Sequence, residues 1–200
     1  TLSTGLTNDL LVSAVHKQHS GCAELLLDHG ASPNAVGVGG VPVLSMAVQH
    51  KSSDQARSLL ARGANVRAVD RDGQTAMHHA SRTGSDALCL QMLISSWDDA
   101  TAPSQSAHEP TAPTSGEDDS ACSQLDRWGR TPLHWATANG HRDAVVALVE
   151  AGSDMHLRDF QEESSMEIAE RRAECREWLN GQDGVRCDKL TLSMLRLMAA

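Results

Sequence analysis

Tyrosine is absent from the 200 residues and phenylalanine occurs once, leaving four tryptophans as the other large aromatics. A chain that is 40% hydrophobic must then build its core from Leu, Val, Met and Ala, which suits helices better than sheets. Basic residues are also scarce. Seventeen Lys and Arg face 26 Asp and Glu, for a formal net charge of -9, which argues against the clustered cations of a nucleic-acid footprint. Basic or neutral partners are the general expectation for such a chain. No apolar run approaches the ~20 residues needed to cross a bilayer, and the start TLSTGLTNDL has neither the basic head nor the apolar stretch of a signal peptide. Membrane insertion is therefore not expected. The five cysteines, Cys22, Cys89, Cys122, Cys175 and Cys187, are odd in number and form no CxxC pair, so neither a disulfide framework nor a zinc knuckle is indicated. They read as reduced, in a cytoplasmic or nuclear protein.

What is present is a period. Asp126-Arg127-Trp128-Gly129-Arg130-Thr131-Pro132-Leu133-His134 opens a segment that closes at Asp159, a step of 33. Asp70-Arg71-Asp72-Gly73-Gln74-Thr75-Ala76-Met77-His78 repeats its pattern, and one such step before Thr75 stands Pro42, within Gly40-Val41-Pro42-Val43-Leu44. The ends agree independently, because Leu26-Leu27-Asp28-His29-Gly30-Ala31 and Leu59-Leu60-Ala61-Arg62-Gly63-Ala64 are separated by the same step. A fixed period of this length marks stacked repeats. Within one unit, Thr131 suits an N-cap, Pro132 the first helical position and Gly140 a left-handed helix end. Ala144, Val145, Leu148 and Val149 then form the apolar stripe of a second helix.

These residues resemble the ankyrin repeat, whose signature joins a Gly-containing turn, Thr-Pro-Leu-His, Gly-His and Leu-Leu. Thr131-Pro132-Leu133-His134 and Gly140-His141 match it fully. The resemblance implies an all-α solenoid of antiparallel helix pairs with hairpin fingers, in five units at about 5–36, 37–69, 70–97, 126–158 and 159–181, together an array over 1–181. The outer units are divergent. Gln18 stands where Gly140 lies, so the first helix of unit one is expected to end less sharply, and Ala173 replaces the same glycine in unit five. From Thr75 to Thr131 the step is 56, which exceeds the period by 23. The excess is assigned to 98–125, an acidic segment rich in Pro, Ser and Thr that is expected to be disordered. Residues 182–200 read as a linker and a short apolar helix.

Chemistry-bearing patterns are few. His16 with His19, and His78 with His79, lack metal-ligand spacing, and His78 and His134 occupy the signature histidine, which in the family hydrogen-bonds within and between turns. Gly37-Val38-Gly39-Gly40 lacks the third glycine of a dinucleotide loop and the GK[ST] of a P-loop. No HExxH, GxSxG or kinase signature occurs. The expectation is a protein that is not an enzyme and holds no cofactor or metal.

The resemblance implies instead a scaffold or regulatory subunit that binds another protein or peptide, itself a monomer, through the positions that the repeat signature leaves free. These are Val38, Gly39 and Val41 in unit two; Arg71, Asp72 and Gln74 in unit three; Arg127, Trp128 and Arg130 in unit four; and His50, Arg82, Thr83 and Asn139 at helix ends. Trp128 is the favoured anchor, since large aromatics beside arginine dominate interface hot spots. Trp135 is expected to pack between helices. Candidate modification sites are Asn34, at the hairpin position that asparaginyl hydroxylases use in the family, and Thr114 and Ser115, each three residues before an acid. A second function comes from Thr191-Leu192, which resembles the start of a SOCS box and implies a substrate-recruiting subunit of a cullin-type ubiquitin ligase, although Arg196 stands where that motif has cysteine.

Overall fold

A computed structural model of the chain describes residues 4–99 and 120–179. Among them the regular structure is all helical: α1 Thr4–His16, α2 Ser20–Asp28, α3 Val43–Gln49, α4 Ser53–Ala61, α5 Ala76–Thr83, α6 Ala87–Asp99, α7 Pro132–Asn139, α8 Arg142–Glu150 and α9 Ser165–Leu179. Odd-numbered helices α1 to α7 stack as one layer and α2 to α8 as the other, each pair joined to the next by a hairpin finger. The core runs along the stack between the two layers. Leu11, Leu44, Leu59, Met77, Leu90, Leu93, Leu133 and Leu148 are almost completely buried in it, each contributing roughly 1.5 to 3 kcal/mol. A lone helix pair could not cover these side chains, so stability passes from neighbour to neighbour.

The capping chemistry follows the residues. Thr131 Oγ1 accepts the His134 amide at 3.4 Å, while the Thr131 amide donates to His134 Nδ1 at 3.1 Å. Gly140 then closes α7 at φ 73. Thr75, His78 and Gly84 form the same frame around α5. Since an amide can only donate, Nδ1 of each histidine is the acceptor and Nε2 carries the proton. That proton goes to the next unit: His78 Nε2 donates to Arg130 O at 3.1 Å and His134 Nε2 to Glu163 O at 3.2 Å. The signature histidines thus sew units together, as expected. Burial holds His78 near a pKa of about 4 and lowers His134 as well, which keeps both neutral.

Three expectations need correction, on unit one, on the excess of unit three and on residues 120–125, and unit five adds an observation of its own. The first helix of unit one ends sharply at His16, because Gln18 itself adopts the left-handed conformation at φ 59. In unit five Ala173 does not stop the helix, and α9 continues to Leu179 as one piece, alanine being a helix former without glycine's freedom. The excess of unit three is divided. The buried pair Ala56 and Leu59 maps onto Leu90 and Leu93 at a spacing of 34, so one extra residue lies between α5 and α6. Finally, residues 120–125 are not a disordered segment: Ala121 and Cys122 are buried to 1% and 2% exposure. They complete the connection from unit three to unit four, with Cys122 in the register of Val66 and Met155. On the other side of the insertion, Trp97 stands where units two and four have the loop glycines Gly63 and Gly152. It is buried beneath Arg67, whose guanidinium carbon is 4.6 Å from the ring, and α6 runs on to Asp99. Thr114, Ser115 and the apolar segment around Thr191 and Arg196 lie outside the described residues.

Candidate interaction surface

Each finger of units three, four and five is built on one aspartate. Asp126 Oδ1 accepts the amides of Trp128 and Arg130, both at 3.0 Å, which folds the tip back over Gly129 at φ 72. Asp70 does the same for Asp72 and Gln74, and Asp159 for Gln161 and Glu163. The second carboxylate oxygen reaches outward. Asp126 Oδ2 takes the indole N–H of Trp135 at 2.8 Å and the side-chain amide of Gln74 at 3.2 Å. Asp70 Oδ2 takes His79 Nε2 at 2.8 Å, and Asp159 Oδ2 takes Arg130 Nε at 3.0 Å. Burial alone would raise the Asp159 carboxyl, but the Arg130 hydrogen bond and the Glu163 and Gln161 amides outweigh it and hold its pKa below the ordinary value.

The tips are laced together by backbone hydrogen bonds, from the Arg127 amide to Asp72 O at 2.9 Å and from the Phe160 amide to Trp128 O at 3.1 Å. On this rail Trp128 meets Trp135 edge to face with ring centroids 6.0 Å apart. Arginines surround the pair: Arg127 lies 5.1 Å from the Trp128 ring, and Arg130 and Arg82 lie 5.4 and 5.8 Å from that of Trp135. Such contacts fix aromatic side chains in position before any partner arrives. Trp128 nonetheless remains 39% exposed.

The structure therefore brings Trp128, Arg127, Arg130, Arg82 and Asp72 into one cluster. Arg127 Nη1 bonds Asp72 Oδ1 at 2.6 Å. Gln74 is a correction: it is 1% exposed, because its amide is consumed by Asp126, and it cannot face a partner. Val41, in the same register, is half-buried against the core. Arg71 is exposed beside Gly40, and Val38 is 99% exposed at the tip of unit two. Thr83 and Asn139 turn back on their own helices, to His79 O at 2.9 Å and Trp135 O at 2.8 Å. His50 contacts His16, ring to ring at 5.3 Å. Asn34 is exposed and bridges to the next loop, accepting the Asn65 amide at 2.6 Å. Two members of the surface lie outside the sequence expectation. Trp135 does more than pack between helices, and Phe160, 75% exposed, stands one period after Arg127 on the next tip, a register that could have found it.

Comparison with known proteins decides the family. The family model for ankyrin repeats, in three copies, matches residues 44–159, and a single ankyrin-repeat model matches residues 9–38. The chain belongs to the ankyrin-repeat family. Among curated ankyrin relatives it is 34% identical to the B-cell lymphoma 3 protein homolog of Mus musculus over 118 residues, 59% of this chain and 22% of that protein. It is 31% identical to the probable 26S proteasome regulatory subunit p28 of Saccharomyces cerevisiae over 131 residues, 65% of this chain and 48% of that protein. A shorter match, 58% identity over 31 residues, is to the palmitoyltransferase Hip14 of Drosophila melanogaster and covers 16% of this chain and 5% of that enzyme. The chain thus spans at most about half the length of these relatives. Among the described residues no helix is long and apolar enough to cross a membrane.

Proposed function

We propose that this ankyrin array is a protein-binding scaffold or regulatory module, without catalysis of its own, that engages a partner through the finger ridge of units three to five and the adjoining first helices. It acts as a monomer in the cytoplasm or nucleus. The reading rests chiefly on Trp128. A large aromatic that is packed edge to face on a second indole, flanked by the Arg127 guanidinium and still exposed is a preorganised anchor, and anchors of this kind carry most of the energy of an interface. Similarity to a proteasome regulatory subunit and to the B-cell lymphoma 3 homolog supports a regulatory scaffold, and the comparisons do not favour the ubiquitin-ligase alternative.

Trp128→Ala should weaken partner binding by about 2 kcal/mol while helix content, read by circular dichroism, stays unchanged. Partner recovered from cell extract is titrated against both proteins by calorimetry. Equal affinities would remove Trp128 from the interface.

A further inference from the structure

Charge is segregated within this acidic chain. The second helices α2, α4, α6 and α8 carry seven Asp or Glu against two Arg. The fingers and first helices of units three and four carry Arg71, Arg82, Arg127 and Arg130 against Asp70, Asp72 and Asp126. Two of these acids are withdrawn from the surface. The side chain of Asp70 is 8% exposed and Asp126 is 4% exposed, both spent on amides of their own turns and on His79, Gln74 and Trp135. Arg82 matters most. Its Nη2 donates to His79 Nδ1 at 3.0 Å, a nitrogen that also accepts from the Gln49 amide at 2.9 Å. His79 is therefore a neutral acceptor whose proton sits on Nε2 facing Asp70, and the Arg82 charge is held by an uncharged group beside the Trp135 ring.

Resting on the binding surface described above, we infer that its occupant is an acidic segment of a partner protein, one carboxylate side chain pairing with Arg82 and Arg127 or Arg130 while an apolar neighbour lies against Trp128 and Phe160. A basic segment, the general expectation for a chain of net charge -9, would instead meet the Arg82 guanidinium on its neutral histidine, with Arg127 and Arg130 beside it already paired to Asp72 and Asp159, and belongs on the outer helices. The indole rings sharpen the preference for carboxylate, because a flat apolar wall beside a cation excludes water and strengthens the ion pair.

The test is selection of a random dodecapeptide display library on the wild-type array, with each enriched peptide re-measured against Trp128→Ala and Arg82→Gln. Gln can still donate to His79, and circular dichroism checks that the variant is folded. Peptides that need Trp128 should be acidic, lose about tenfold in affinity on Arg82→Gln, and weaken as NaCl rises from low salt to about 0.5 M. Neutral or basic peptides that need Trp128 but ignore Arg82 would overturn the acidic assignment and leave the binding surface standing. If no enriched peptide needs Trp128, the surface itself falls with it.

Discussion

In units three and four a buried carboxylate, Asp70 or Asp126, ties the finger to its own first helix, whereas unit two has Gly37 at that place. There a Cβ would lie 2.9 Å from Met46 Sδ and 3.1 Å from Val12 Cγ1. Met46 itself stands in register with His79 and Trp135, the groups that the aspartates bind. The exchange is thus concerted, one apolar side chain filling the space of a carboxylate and its partner. Other positions of unit two follow suit. Pro42 replaces the capping threonine and makes no side-chain cap bond, and Ser45 replaces the signature histidine, its Oγ buried without a hydrogen-bond partner among the described residues. Lys51 takes the left-handed place of Gly84 at φ 57. Side-chain contact takes the place of side-chain hydrogen bonds in unit two, where Val43 to Val48 are all buried, whereas units three and four add directed polar side-chain bonds to the same packing. All three fingers share a backbone bond across the turn, Gly37 N to Val41 O in unit two, and the aspartate adds two amide bonds to it, which holds a large tip side chain more firmly.

Removing the anchor should break the polar fingers most severely. Asp126→Ala strips acceptors from two backbone amides, Gln74 and Trp135 at once, and should cost about 3 to 5 kcal/mol in urea unfolding. A loss below about 1 kcal/mol would show that the carboxylate is dispensable. Acid comes next and acts first on the histidine-capped units. His78 has a folded pKa of about 4 against an ordinary 6.5, so the unfolded chain takes up the proton first. The stability it contributes is complete above pH 6.5, falls as the pH drops towards 4, and is gone below that. By pH 5 the expected loss is about 2 kcal/mol, with His79 and His134, also lowered chiefly by burial, acting in the same direction. Equal urea midpoints at pH 7 and pH 5 would contradict a neutral buried His78. The smallest effect tests the exchange itself. Gly37→Asp alone should destabilise by about 1 to 2 kcal/mol through the Met46 clash, and Met46→His added to it should recover most of that loss by making room and supplying a partner. If the double variant is no better than the single one, the two positions are not coupled.

Much of this is legible in the residues. Thr131, Pro132, His134 and Gly140 specify a helix and both of its ends without help from elsewhere, so α7 can be placed from the chain alone. The inner register of unit three cannot, since counting from Thr75 to Thr131 sums the extra residue before α6 with the insertion after it. The absence of a loop glycine at Trp97 is the available sign that α6 runs long. Gln74 escapes for a different reason. Its burial depends on Asp126, far along the chain on the other side of the insertion, and a free-position rule drawn from one repeat carries no information about the carboxylate of the next. Asp159 beside Arg130 shows the same relation without an intervening insertion, and Phe160 emerges from the same register.

Unit five supplies only one helix, α9, among the described residues, yet four residues of unit four bond to it or to its finger. Trp128 O receives the Phe160 amide, Arg130 the Asp159 carboxylate, His134 the Glu163 carbonyl, and Ala138 O the Arg172 guanidinium. A chain cut just before Asp159 would strand those groups together, leaving the tip that carries Trp128 without its backbone bond from Phe160. Unit five therefore serves as a bookend as well as a tip, and the firmness of the grip at unit four is borrowed in part from the neighbour that follows it.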